Sequence, residues 1–239
     1  MIIEPVIVQC PQCQLKSVHY KAMSGTIHES ISFTDGKMDV ISGMISFDPV
    51  LIKCRQCNNL YFFYEAIREG REARESTDAF GDLGFNERHP GIEDYQMAIE
   101  KYKGQDAGRE IKLRTLFWWK INDLIRFESG IGRKRSLLMD ILNYLYKPLR
   151  NYKPLHRHYP EYKKCLPDKN ENLRALFKLL NPENNPEDIY FMVEIQRELG
   201  NYPAARNLLE SIKNKSKRSF LRKQDQLIRK RNPFVQQFG

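Results

Sequence analysis

Cys10-Pro-Gln-Cys13 and Cys54-Arg-Gln-Cys57 are the residues of this chain whose type and spacing most plainly do chemistry. Two residues between cysteines let a tight knuckle turn both sulfurs toward one ion, and two such knuckles make a tetrahedral set of four sulfurs. That set suits one Zn2+ ion. Four thiolates leave no coordination position open to water, so the ion expected at Cys10, Cys13, Cys54 and Cys57 is structural, not catalytic. Redox-active dithiols are the competing chemistry of a CxxC pair. The position after a knuckle commonly needs a positive φ, which favours glycine; here it holds Gln14 and Asn58.

Other groups invite weaker assignments. In Arg114-Thr-Leu-Phe-Trp-Trp-Lys-Ile-Asn-Asp-Leu-Ile-Arg126, helical spacing puts Trp118, Asn122 and Arg126 on one stripe and Trp119 with Asp123 on the next. Trp118, Asn122, Asp123 and Arg126 are therefore candidates for a polar groove, against the plainer expectation that the tryptophans pack a core. His156, His158 and Cys165 could approach a second metal but lack a clear fourth ligand. There is no GxSxG, no phosphate-binding lysine loop, no HExxH and no paired catalytic carboxylates at readable spacing, so a non-enzyme is expected.

The formal charge of +9 is concentrated in two blocks. Residues 133–164 hold nine Lys/Arg against Asp140 and Glu161, and residues 213–231 hold nine against Asp225 alone. Such blocks could meet phosphates, with Lys217, Arg218, Arg222 and Lys223 as the contacts, or they are solvated helix faces. With 41% hydrophobic and 29% charged residues the chain can bury a core. No apolar run is long enough to span a bilayer, and the N-terminus lacks the pattern of a signal peptide. The five cysteines fit metal-bound thiolates in a reducing cytoplasm better than a disulfide framework.

The elements that must position these residues change character along the chain. Residues 1–65 read as a β-rich zinc ribbon, with apolar strands running into and out of each knuckle. A hairpin turning at Asp35-Gly36, expected as type I′, accounts for the forty residues between the cysteine pairs. Residues 66–112 read as a connecting segment: helical from Glu65 to Glu75, a loop from Asp78 to Gly91, then helical spacing of Tyr95, Ala98, Ile99 and Tyr102. Residues 113–239 read as all-helical. Leu113, Phe117 and Ile121 mark one helix, and Leu137, Leu138, Ile141, Leu142 and Leu145 the next. Four prolines in 148–167 suggest an irregular connection. Asn185-Pro186 opens a later helix that Gly200 closes, and Tyr202 and Ala205 begin its antiparallel partner. Gly200, Tyr202 and Ala205 fill the roles that a tetratricopeptide hairpin assigns to them.

The CPxC pair, Thr34-Asp35-Gly36-Lys37, the second CxxC pair with its aromatic run, and the Trp118-Trp119-x-x-Asn122-Asp123 helix together resemble an uncharacterised bacterial family with an N-terminal zinc ribbon. That resemblance implies a ribbon followed by tetratricopeptide-like helices, and no established activity. The expectation is an α+β chain acting as a non-enzymatic adaptor or scaffold. Its partner is another protein, with a nucleic acid as the alternative and no membrane.

Overall fold

The computed structural model describes residues 2–24, 27–43, 50–69, 90–126, 159–212 and 218–236. The chain is α+β and divides into two compact units. The first comprises Met1–Ser32 and Met38–Tyr102; the second comprises Lys103–Gly239 together with the loop Phe33–Lys37.

In the first unit β1 (Ile2–Gln9) and β2 (Lys16–Ser24) pair antiparallel, with Val8 opposite Ser17 and Gln9 opposite Lys16. β3 (Ile27–Ser32) and β4 (Met38–Gly43) form a second hairpin, and β5 (Leu51–Lys53) and β6 (Leu60–Phe62) a third. Val6 and Val8 point inward from β1 in the two-residue rhythm of a half-buried strand. On β5 and β6, Leu51, Ile52, Leu60, Tyr61 and Phe62 are all buried, so this short ribbon is covered on both faces. Val6, Val8, Ile52, Tyr61, Phe63 and Ala66 pack into one core with Cys10 and Cys54.

Of the helix expected over Glu65–Glu75, only residues 65–69 are described; residues 70–75, and residues 78–89 of the loop expected after it, lie outside the described residues. α1 (Phe63–Ala66) is a single turn, and β7 (Ile67–Glu69) follows it as a strand on the free edge of β1, with Ile67 opposite Val8. Pairing with β1 gives the backbone of this segment its ladder hydrogen bonds, and β-branched Ile67 favours a strand. α2 (Ile92–Tyr102) buries Ala98 and Ile99 as their spacing predicts. It is tied to the ribbon by Lys53 Nζ to Asp94 (2.8 Å), by Lys101 Nζ donating to the Leu60 carbonyl (3.1 Å), and by an edge-to-face contact of Phe62 with Tyr102.

The second unit is helical. α3 (Ala107–Arg126) lays Leu113, Phe117, Trp118, Ile121 and Ile125 inward, and α4 (Tyr159–Leu179) packs along it with Leu173 and Leu176. The irregular connection expected through residue 167 is thus a helix from Tyr159 on. Pro160 sits in its first turn, where the missing N–H has no partner to lose. Pro167 lies inside it on the exposed side, while Leu173 and Leu176 are held in the core. The helix expected around Leu137–Leu145 lies outside the described residues.

α5 (Asp188–Glu198), α6 (Tyr202–Ser211) and α7 (Arg218–Arg229) follow. Asn185 opens α5 less directly than expected: its side chain accepts the Glu187 N–H (3.2 Å) and donates to Asp188 (2.6 Å), so the helix begins at Asp188. At the far end Gly200 takes φ +78°, with Gly200 N–H bonded to the Arg197 carbonyl and Asn201 N–H to that of Gln196. This is the paired closure that a left-handed glycine makes possible. α5 is packed on two sides, giving Ile195 to a cluster with Trp118, Leu173, Leu176 and Leu180, and Val193 to one with Ala205, Ile212 and Ile228.

Candidate metal centre and a buried polar network

Both knuckles are built from the same backbone pattern. The Cys10 N–H bonds to the Leu15 carbonyl (2.9 Å) and the Gln14 N–H to that of Cys10 (3.0 Å); Cys54, Asn59 and Asn58 repeat the pair at 2.9 and 3.0 Å. Gln14 and Asn58 take φ of 61° and 58°, so the residues standing where glycine is common adopt the left-handed conformation. Each knuckle is the turn of a hairpin, β1–β2 and β5–β6, and the shared core holds the two hairpins together.

The sulfurs of Cys10, Cys13, Cys54 and Cys57 all lie within 4.8 Å of one another. Cys10 Sγ is 3.6 Å from Cys57 Sγ, and Cys13 Sγ 3.5 Å from Cys54 Sγ. Four sulfurs at a bond length of about 2.3 Å around a tetrahedral ion are separated by roughly 3.8 Å. The four cysteines are therefore positioned to hold a metal ion. Cys10 and Cys54 are buried, Cys13 and Cys57 partly so.

The electrostatics agree. Burial lifts the Cys10 thiol, but the amides of Cys13 and Gln12 outweigh it and hold it at about 7. At Cys13 the Leu15 amide favours the thiolate, yet burial and the neighbouring sulfurs push it up to about 12. Four adjacent thiols cannot all ionise unless a cation sits among them. Tyr61 closes the core beside them; its hydroxyl is buried without a hydrogen-bond partner among the described residues, and its pKa is raised by burial and the nearby sulfurs.

The second unit holds a different constellation. The stripe that could line a polar groove or pack a core is covered: Trp118, Asn122 and Arg126 are buried and Asp123 lies at the margin. The loop Phe33–Lys37 closes it. Asp35, fully buried, accepts from the Arg126 guanidinium and from Asn122 Nδ2 (2.9 Å), and its carbonyl accepts from Trp119 Nε1 (2.9 Å). The Arg126 guanidinium lies 4.6 Å above the Phe33 ring and also bonds Asp123 (2.8 Å), which takes Lys37 Nζ at 2.7 Å. The Phe33 carbonyl accepts the Gly36 N–H (3.0 Å), and Gly36 alone in the loop has positive φ, +81°. The turn is therefore centred on Thr34–Asp35 with a left-handed glycine after it, in place of the type I′ turn expected at Asp35-Gly36, and the Asp35 carboxylate points inward.

The network continues inward. Glu198 accepts from Trp118 Nε1 (3.0 Å), Asn122 Nδ2 (3.3 Å) and Lys169 Nζ (2.5 Å), and Lys169 also donates to Tyr162 (2.8 Å). Glu194 is gripped by Arg197 (2.5 Å) and Gln224 (2.6 Å), while Arg197 reaches the Asn232 and Phe234 carbonyls and the Thr34 hydroxyl. Thr34 in turn bonds Gln236 through its backbone N–H (2.9 Å) and its hydroxyl (3.1 Å). Three buried acids, Asp35, Glu194 and Glu198, thus face three buried bases, Arg126, Lys169 and Arg197. Burial raises Glu198 and Asp35 above the usual carboxylate range; at Glu194 it is outweighed by Arg197, and the carboxyl falls below that range. Burial would depress Lys169, but Glu198 reverses the direction and raises it.

Spacing singled out Trp118, Asn122, Asp123 and Arg126 and missed Asp35, Glu194, Glu198, Lys169 and Arg197. The available signal was the crowding of Glu194, Arg197 and Glu198 along one helix that also carries Val193 and Ile195 into the core. The remaining candidates stay apart. Arg218 and Arg222 are exposed on α7, Lys223 partly exposed, and Lys217 lies outside the described residues, as does most of the block 133–164. Cys165 sits on α4, while His156 and His158 lie outside the described residues. Among the described residues no helix is long and apolar enough to cross a membrane. Compared with protein-family models, with curated proteins and with solved structures, the chain matches none of them.

Proposed function

We propose that this chain is a non-enzymatic interaction protein whose N-terminal ribbon is held by one structural zinc ion and whose helices dock another protein. The convergence of four cysteine sulfurs from two matching knuckles carries the reading. Cys10, Cys13, Cys54 and Cys57 would be the ligands, and zinc is the metal that a set of four thiolates favours for a structural role. Zinc bound there supplies cross-linking and charge neutralisation. The α5–α6 hairpin supports a tetratricopeptide-like reading of the helices, with Gly200 ending one helix and buried Ala205 letting the next approach.

Metal analysis of the purified full chain tests it. One zinc per chain is expected, with chelation making the ribbon susceptible to protease while far-UV circular dichroism keeps most of its helical signal. Absence of zinc from protein purified without chelator, with no uptake on titration, would remove the basis of the proposal.

A second reading, nucleic-acid binding, is favoured by one observation. Arg218, Arg222 and Arg229 are exposed along a single stripe of α7, while Leu227, Ile228 and Gln224 face inward. Fluorescence anisotropy against single-stranded RNA and double-stranded DNA across a salt series decides it. Steeply salt-dependent binding that weakens when Lys217, Arg218, Arg222 and Lys223 are neutralised supports it, and an unchanged slope opposes it.

A further inference from the structure

We propose that the helical unit is a receptor for an aspartate-bearing β-turn, and that in this chain the site is filled by its own loop Phe33–Lys37. This deepens the interaction reading and rests on it for the class of partner, a protein segment. Residues 33–37 belong with the helical unit, while the strands on either side of them belong with the ribbon unit. The loop is therefore a short segment held by a body to which its neighbours in sequence do not belong.

Every feature of the turn is read by a separate group. The Asp35 carboxylate meets Arg126 and Asn122, and its carbonyl meets Trp119 Nε1. The Lys37 ammonium meets Asp123 (2.7 Å), and Thr34 pairs with Gln236. At Gly36 the Phe191 ring comes so close that a Cβ would stand 2.9 Å from it, which restricts that position to glycine. Charge, hydrogen bonding and shape thus specify Thr-Asp-Gly-Lys, much as peptide-recognition sites specify theirs through a buried anchor and a satisfied polar rim. The Asn122 amide oxygen is buried with no hydrogen-bond partner among the described residues, so the site retains acceptor capacity that this loop leaves unused.

The probe is a fluorescein-labelled peptide of residues 31–39 closed by a disulfide between cysteines added at its ends. It is titrated against the full-length chain and the full-length Asp35→Ala and Asp35→Asn variants, with folding followed by circular dichroism. The variants bind the peptide at least about tenfold more tightly than wild type, because the tethered native loop competes at an effective concentration near the millimolar range. A peptide with Asn in place of the aspartate binds at least about tenfold more weakly, since the charged hydrogen bonds to the guanidinium are lost. Equal binding by wild type and folded variants, or none by either variant, overturns the proposal. Loss of cooperative unfolding in both variants also overturns it, because the loop is then an inseparable part of the core. None of these outcomes alters the zinc content of the ribbon, so failure of the receptor is distinguishable from failure of the zinc-dependent reading.

Discussion

Replacing Gly36 with alanine puts a methyl group 2.9 and 3.1 Å from two carbons of the Phe191 ring, at a residue whose φ is +81°. Gly200→Ala is the matched control, with φ +78° and nothing within 4 Å of the added carbon. A left-handed φ costs an alanine about 1–2 kcal/mol, offset by about 0.4–1 kcal/mol from the stiffer unfolded chain. Gly200→Ala should therefore lose about 1 kcal/mol. Gly36→Ala loses that and the overlap as well. Ordinary contact begins near 3.4 Å, and the ring is held edge-to-face against buried Trp118 at 6.3 Å between centroids, so it yields little. Overpacking of this kind adds about 1–3 kcal/mol, giving roughly 2–4 kcal/mol in total. Both glycines lie in the helical unit, and equilibrium urea unfolding followed at 222 nm reads one transition for the pair. Equal losses in the two variants, within about 0.5 kcal/mol, refute the claim that Phe191 makes position 36 exclusive to glycine.

Cys57→Ser, removing a partly exposed ligand, should weaken metal binding at least about tenfold in a chelator competition while leaving the helical signal in place. Arg197→Met leaves Glu194 buried without its base and strips donors from the Asn232 and Phe234 carbonyls, so about 3–5 kcal/mol is lost on urea unfolding; Glu194→Gln in the same chain should restore part of it. Glu110 is held below its ordinary value of 4.5, burial being outweighed by the Gly104 amide and Arg114, and Glu194 is lowered by Arg197. A depressed carboxyl contributes stability that is complete above the unfolded pKa and is lost as pH falls through the folded one. Stability of the helical unit should accordingly decline below about pH 4.5, and Glu110→Gln should flatten that decline when melting temperature is followed against pH.

Local chemistry was readable from the chain and distant chemistry was not. The knuckles announce themselves because ligand spacing and strand ends lie within a few residues of each other, even though Gln14 and Asn58 stand where glycine is common. The apolar buried residues of α3, Leu113, Phe117 and Ile121, follow from period, and Gly200 marks the end of α5 because only a local conformation is at stake. Asp35 was legible as part of a turn but not as an ion-pair partner, because Arg126 is 91 residues away and Arg197 lies 163 residues from Thr34. Period-counting treats Glu194, Arg197, Glu198 and Lys169 as solvated charges; only their mutual pairing in space makes burial possible. Pro160 reads as a helix breaker unless the helix starts beside it, and β7 depends on the edge that β1 leaves open.

The pairing of Thr34 with Gln236 spans 202 residues and sets an order of events during synthesis. At roughly 5–20 residues per second, Thr34 and Asp35 are made about 10–40 s before their last partner exists. All four cysteines have been synthesised long before that, so the two knuckles can come together while the helical unit is still being built. Closure of that unit is then a late, long-range step: Asp35 can meet Asn122 and Arg126 once those are made, while Thr34 waits for Gln236.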